Sequence, residues 1–114
     1  MSVKLSTRQV GDVSVVDVSG RITLGEGSSA LRDTLRDMVS KSQKKILLNL
    51  GDVSYIDSSG IGELVSGFTT VANQGGQLKL LNLTKRVKDL LQITKLYTVF
   101  EVHDDEAAAV RSFS

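Results

Sequence analysis

Five segments of the chain have the apolar pattern of β-strands: Val3–Val10, Val13–Ser19, Ile46–Leu50, Leu78–Leu83 and Tyr97–Val102. Apolar and polar residues alternate in the first two, and Gly11-Asp12 between them has the length and composition of a hairpin loop. These two strands are therefore predicted to pair antiparallel. The run Ile46–Leu50 is nearly all apolar, which is typical of a central strand covered on both faces.

Four helices are predicted between or after these strands. The first three have apolar residues at spacings of three and four, as the side of a helix that packs on a core requires. Their apolar stripes are Leu31-Leu35-Met38-Val39, Ile61-Leu64-Val65-Phe68-Val71-Ala72 and Val87-Leu90-Leu91. The fourth helix is short and Ala-rich, and it follows Asp104-Asp105.

Local residues indicate where these helices begin and end. Thr23 and Glu26 have the spacing of a capping box before the first helix. Gly75-Gly76 is expected to end the second helix, and Thr84 can cap the third. Strands joined through helices pair in parallel. The sequence thus predicts a single α/β domain over residues 1–114, with a small mixed sheet of about five strands and about four helices packed on it.

Composition narrows the classes of function. The 114 residues are 40% apolar and 24% charged, as in a soluble globular domain, and the net charge of +1 does not favour nucleic acid or an anionic membrane as a partner. The absence of cysteine excludes disulfides, thiol chemistry and thiolate zinc sites. No metal or other cofactor is predicted. No apolar run has membrane-spanning length and no signal peptide is recognisable, so a cytoplasmic location is expected.

The stretch Asp57-Ser58-Ser59-Gly60-Ile61-Gly62 opens the second helix and combines an acid, two hydroxyls and two glycines. An N-cap role for Asp57 or Ser58 explains part of it. It does not explain the second hydroxyl, nor the glycines, each of which costs nearly 1 kcal/mol in a helix relative to alanine.

The polar face of this helix is formed by Gly60, Glu63, Ser66, Gly67 and Thr70. Glu63 is the only charged residue between Ser58 and Leu78, whereas a solvent-exposed face normally carries several charges. The face is therefore expected to contact either a partner protein or a neighbouring helix of the same chain, and the sequence leaves both possibilities open.

Three enzyme-like interpretations find little support. A nucleophilic serine elbow needs glycine two residues before the serine, and the only histidine, His103, is distant in sequence. No Walker sequence occurs. A phosphoaspartate receiver would place its aspartate at the end of a strand, whereas Asp57 lies seven positions after Leu50, and Asp12 and Asp17 stand alone instead of forming the paired acids that hold magnesium.

Lys85, Arg86 and Lys88 form a basic start to the third helix. They are interpreted either as a solvated helical face, the usual situation for exposed charges, or as a surface for a partner.

The segment from Asn49 to Gly62, with the sequence NLGDVSYIDSSGIG, resembles the signature of STAS domains, and more closely that of bacterial anti-sigma-factor antagonists of the partner-switching type. The resemblance extends from about Val3 to Val110 and includes the order of strands and helices. It implies the STAS fold.

The resemblance also implies a function without catalysis. In this family a serine kinase, itself the anti-sigma factor, phosphorylates the hydroxyl that follows the aspartate, which here is Ser58. The unmodified antagonist binds the kinase and frees a sigma factor for transcription, and a serine phosphatase restores the unmodified form. The protein would then be a binding protein and a kinase substrate, with no direct contact to nucleic acid or membrane.

The resemblance assigns roles to further residues. Asp57 would position or cap, Ser59 would serve as a secondary hydroxyl, and Gly60 and Gly62 would keep the approach to Ser58 open. The partner surface would comprise Asp57, Ser59, Gly60, Gly62, Glu63, Ser66, Gly67 and Thr70, together with Thr23 and Glu26.

The chain departs from the family pattern after its second strand, where family members carry an acid. Either Glu26 replaces that acid, or the contact that it makes in the family is absent here. The alternative is a STAS docking subunit of another complex, in stress signalling or lipid transport, that works without a phosphorylation switch.

Overall fold

Five strands form one mixed sheet in the order β1-β2-β3-β4-β5 in the computed structural model, which describes residues 3–113. The strands are β1 (Val3–Val10), β2 (Val13–Ile22), β3 (Lys45–Ile56), β4 (Gln77–Leu81) and β5 (Val102–His103). β1 pairs antiparallel with β2, and the other neighbours pair in parallel. The predicted mixed sheet is confirmed.

Four helices, α1 (Glu26–Ser40), α2 (Ser58–Asn73), α3 (Lys85–Ile93) and α4 (Glu106–Ser112), complete the fold of the described residues. The larger core cluster contains Leu35, Leu64 and Leu91 from the first three helices. A smaller cluster joins Leu47 of β3 to Ala109 of α4. Since successive residues of a strand point to opposite faces, the apolar run of β3 supplies both clusters. Within residues 3–113 the structure contains no helix with the length and hydropathy of a membrane-spanning segment.

Three of the predicted helix ends are confirmed. The Thr84 hydroxyl accepts a hydrogen bond from the Val87 N–H at 3.3 Å, and the Asp105 carboxylate accepts one from the Ala108 N–H at 2.9 Å. At the end of α2, Gly75 has a φ of +79°, and the Gly76 N–H donates to the Val71 carbonyl. These side chains and glycines satisfy backbone groups that a helix leaves unpaired at its ends.

The capping box predicted at Thr23 and Glu26 is wrong. Helix α1 begins at Glu26, and its N-cap is Gly25, which has a φ of +98° and makes no side-chain cap. Thr23 instead accepts, through its backbone carbonyl, hydrogen bonds from the N–H and the hydroxyl of Ser28. A backbone turn that only glycine adopts readily therefore replaces the side-chain cap.

The bounds of four strands differ from the sequence prediction. β2 ends at Ile22 instead of Ser19 and β4 at Leu81 instead of Leu83, but β3 and β5 differ most. β3 continues beyond Leu50 to Ile56, because its second half still pairs with β2, as in the registers Gly20↔Val53 and Ile22↔Ile56. The predicted strand Tyr97–Val102 is mostly a turn, and β5 contains only Val102 and His103. Phe100 in this turn is buried and packs edge-on against Phe68, with ring centroids 5.5 Å apart. This apolar contact, and not strand pairing, holds the turn on the core.

Candidate functional site

The conspicuous stretch of the sequence lies where β3 ends and α2 begins. Asp57 follows the last residue of β3 directly and is the N-cap of α2, and Ser58 is the first residue of that helix. The Asp57 N–H donates a hydrogen bond of 3.3 Å to the Ile22 carbonyl at the end of β2. The site is thus built at the carboxyl edge of two neighbouring parallel strands, a common position for functional loops in such sheets.

The Asp57 carboxylate accepts three hydrogen bonds. Its Oδ1 atom accepts from the Ser59 hydroxyl at 2.6 Å and from the Gly60 N–H at 3.0 Å, and its Oδ2 atom accepts from the Leu24 N–H at 3.2 Å. These bonds, that from Ser59 first, hold the pKa of the Asp57 carboxyl below its usual range. The expected capping role of Asp57 is confirmed, and the cap is negatively charged at neutral pH.

Ser58 and Ser59 are placed very differently. Ser58 is exposed, and its hydroxyl has no hydrogen-bond partner among residues 3–113. Ser59 is half-buried and donates its hydroxyl to Asp57. A reagent approaching from solvent can therefore modify Ser58 without breaking a contact, whereas modification of Ser59 would disrupt the cap.

Gly60 is buried, which corrects its interpretation as part of an open approach. A Cβ atom at Gly60 would lie 2.6 Å from the Ile22 carbonyl oxygen and 2.7 Å from Cγ1 of Ile56. The glycine lets the start of α2 sit directly on the ends of β2 and β3. Gly62, by contrast, is exposed, with nothing within 4 Å of an added Cβ.

The polar face predicted on α2 packs in part on α1. Gly67 is buried directly against Cδ1 of Leu35, and a carboxylate oxygen of the half-buried Glu63 lies 3.6 Å from Nη1 of Arg32. Thr70 is half-buried, and Ser66 is exposed. The neighbouring helix of the same chain therefore explains Gly67 and Glu63, while Gly62 and Ser66 remain available to a partner.

The loop between β2 and α1 borders Ser58 from the other side. Thr23 is half-buried and Glu26 is exposed at the start of α1. Leu24 between them is 82% exposed, and its N–H is held by Asp57. Sequence reasoning missed Leu24, although a large apolar residue outside any helical stripe or strand pattern was the available signal.

The structure separates His103 from Ser58. His103 lies on β5, which is two strands away from β3, and its Nε2 atom is 2.7 Å from a Glu101 carboxylate oxygen. No base for a nucleophilic serine is therefore provided by this histidine.

For the receiver hypothesis, the objection from strand position was wrong, because β3 extends to Ile56 and Asp57 follows it. The acids named for magnesium are engaged elsewhere, Asp12 with Lys45 and Asp17 with Arg8. Within residues 3–113, no three His, Cys, Asp or Glu side chains come together as a metal site would require.

The basic start of α3 lies near the same edge of the sheet. Lys85, Arg86 and Lys88 are all exposed, and Lys85 forms an ion pair of 2.8 Å with Asp89 one turn later. Such an exposed pair contributes little to stability.

Comparison with known proteins identifies one family. The family model described as STAS domain matches residues 4–109. An anti-sigma-B factor antagonist of Bacillus subtilis (strain 168) is 32% identical over 102 residues, a match that covers 90% of this chain and 92% of the relative.

Solved structures of low sequence identity share the fold. An anti-sigma factor antagonist from Mycobacterium paratuberculosis superposes with a TM-score of 0.84 at 19% identity, covering 98% of this chain and 94% of that one. The phosphorylated form of the Bacillus cell fate determinant SpoIIAA has a TM-score of 0.73 at 19% identity, with 95% and 98% covered.

Proposed function

The chain belongs to the STAS domain family, and we propose that it acts as an anti-sigma factor antagonist whose binding is switched by phosphorylation of Ser58. In this proposal the unmodified protein binds an anti-sigma factor that is also a serine kinase, and thereby frees a sigma factor in the cytoplasm. The kinase phosphorylates Ser58, and a serine phosphatase reverses the modification. The observation that carries the proposal is the exposed Ser58 hydroxyl, free of partners among the described residues, on the first residue of α2.

The position of Ser58 suits a phosphate. A phosphoserine carries about −1.5 to −2 charges at neutral pH, and the start of a helix presents free N–H groups and the positive end of the helix dipole. Because the Ser58 hydroxyl has no hydrogen-bond partner among residues 3–113 that the phosphate would displace, the fold is expected to accept it.

The same phosphate would weaken a protein–protein contact. It adds charge beside the ionised Asp57. The exposed residues around it include the uncharged Leu24, Gly62 and Ser66 and the acidic Glu26. Burying an uncompensated charge against a partner costs several kcal/mol, and each 1.4 kcal/mol corresponds to a tenfold change in affinity. Phosphorylation could therefore lower affinity by a factor on the order of a thousand.

The protein would be the substrate of the phosphoryl transfer and not its catalyst. The carboxylate next to Ser58 in the chain, that of Asp57, already accepts three hydrogen bonds and has a lowered pKa, which makes it a poor general base. Activation of the Ser58 hydroxyl is thus assigned to the kinase.

The test is binding to the anti-sigma factor of the same organism by titration calorimetry. Wild type and Ser58→Ala should bind tightly, and Ser58→Asp should lose at least about tenfold in affinity. Ser42→Asp is a matched control, because Ser42 is exposed after the end of α1, at the opposite edge of the sheet, and has a φ of +63° that aspartate tolerates.

Two results would count against the proposal. Equal affinity of Ser58→Ala and Ser58→Asp would favour a docking subunit that works without a phosphorylation switch. Absence of binding by wild type would remove the antagonist role itself.

A further inference from the structure

Two arginines stack on one tyrosine at the carboxyl edge of the sheet. The guanidinium carbon of Arg21 lies 4.9 Å from the ring centroid of Tyr55, and that of Arg86 lies 4.2 Å from it. Arg21 is on β2 opposite Tyr55 on β3, and Arg86 is in the first turn of α3. Three separate elements therefore supply one cluster, and Tyr55 at its centre lies three residues before Ser58 in the chain.

The cluster holds two positive charges together, and no described residue forms an ion pair with either of them. Neither Arg21 nor Arg86 forms an ion pair or side-chain hydrogen bond with any other residue in the range 3–113. Both are exposed, whereas Tyr55 is half-buried. Like charges held close repel one another, and an anion bound between them relieves that repulsion. Stacking orients the planar guanidinium groups while leaving their N–H edges free, which is the arrangement that binds carboxylates in a bidentate manner.

We propose that the Arg21–Tyr55–Arg86 cluster is a docking surface for an acidic segment of a partner protein. One or two Asp or Glu carboxylates of that segment bind the guanidinium groups, and the Tyr55 ring fixes the orientation of both. The surface rests on residues other than Ser58, and its test does not depend on phosphorylation.

The local charge favours a short acidic segment over nucleic acid. A cavity of about 660 Å³ beside α3 is lined by Asp52 and Asp104 as well as Lys88, so the positive potential does not extend along this side of the molecule. The chain as a whole has a net charge of only +1. Binding to a phosphate backbone requires an extended basic surface, whereas two carboxylates need only two arginines.

The experiment is an NMR titration of the full, isotope-labelled chain with a six-residue all-glutamate peptide at low salt. The proposal predicts saturable shifts of the Nε–H signals of Arg21 and Arg86 and of the Tyr55 ring. Arg86→Gln and Arg21→Gln should each raise the dissociation constant about tenfold, the loss expected for a charge-assisted hydrogen bond. Arg36→Gln should leave it unchanged, because Arg36 is an exposed arginine on α1 without a tyrosine partner.

Tyr55→Leu tests whether the ring is needed to orient the two guanidinium groups, since this variant keeps both arginines and their charges but removes the ring. It should weaken binding, while the amide spectrum away from the cluster shows that the variant is folded. Shifts spread evenly over the lysines, or equal weakening by Arg36→Gln, would overturn the proposal. Tighter binding of a thymine oligonucleotide than of the peptide would also overturn it, in favour of nucleic acid.

Discussion

The Oδ2 atom of Asp57 accepts a hydrogen bond of 3.2 Å from the backbone N–H of Leu24, 33 residues earlier in the chain. Through Oδ1 the same carboxylate caps α2 at Gly60. One ionised side chain therefore joins the two loops that border Ser58. A protein that recognises Ser58 therefore binds a surface on which the loop between β2 and α1 and the start of α2 are fixed relative to each other.

Replacement of Asp57 should show how much its hydrogen bonds contribute to the free energy of unfolding. Asp57→Ala removes a cap and the bond to Leu24, so the free energy of unfolding should fall by about 1–2 kcal/mol in urea denaturation. Asp104→Ala is the control, because Asp104 is exposed and makes no ion pair or side-chain hydrogen bond with residues 3–113, and it should change stability by less than about 0.5 kcal/mol. Equal effects of the two variants would contradict the structural role of Asp57.

Acid should weaken the hydrogen bonds of Asp57, because it protonates the carboxylate. The pKa of the Asp57 carboxyl is lowered in the folded protein, mainly by the hydrogen bond from Ser59. Its contribution to stability is therefore complete above the unfolded pKa of about 3.9 and is lost as the pH falls through the folded pKa. Asn still caps helices but does not titrate, so Asp57→Asn should lose less stability than wild type below about pH 4.

This comparison needs unfolding curves at several pH values. Asp57→Asn will retain part of the acid sensitivity through Asp17 and Glu106, whose pKa values are lowered by Arg8. Parallel pH profiles of wild type and Asp57→Asn would show that the Asp57 carboxylate does not stabilise the fold.

Local sequence rules predicted some parts of the site and failed at others. The cap at Asp57 follows from a side chain acting on its own helix, and it is present. The extension of β3 to Ile56 could not be predicted, because polar residues there are held against β2 and do not themselves favour strands. Asp52 pairs with Ser19, whereas Ser54 lies at an irregularity in the pairing. The hydroxyl of Ser54, for example, donates to the Gly20 carbonyl.

The glycines show the same limit of sequence reasoning. Gly60 and Gly62 look alike in the sequence, yet Gly60 packs against Ile22 and Gly62 is exposed to solvent. Such a distinction depends on which elements pack together. By contrast, the spacing of apolar residues along a strand or helix follows from which of its sides is buried in the core. The architecture was therefore predictable from the sequence.

Alanine at these two glycines should have opposite effects. Gly60→Ala places a methyl group against the Ile22 carbonyl and should destabilise the protein by about 1–3 kcal/mol. Gly62→Ala meets nothing and should stabilise it by up to about 1 kcal/mol, because alanine favours the helix. The measurement is the melting temperature of each variant relative to wild type. A change of the same sign in both variants would contradict the packing described for Gly60 and Gly62.

Phosphorylation at Ser58 should leave the fold in place. The phosphate meets the start of α2, where a negative charge is mildly favourable, so the free energy of unfolding should change by less than about 1 kcal/mol. Amide spectra of the modified protein should differ only near Ser58 and the Leu24 loop. A broad change across α1 and the sheet would mean that the phosphate acts by refolding the protein instead of by charge at its surface.

Phosphorylation of Ser58 can be detected in the intact mass of the protein. The protein is incubated with ATP and the serine kinases of its own cell extract, beside Ser58→Ala. The proposed switch at Ser58 predicts one added phosphate that is missing from Ser58→Ala. This phosphate should survive acid, as a phosphoserine does and an aspartyl phosphate does not. An unmodified wild type, or a phosphate that persists in Ser58→Ala, would contradict the proposed switch.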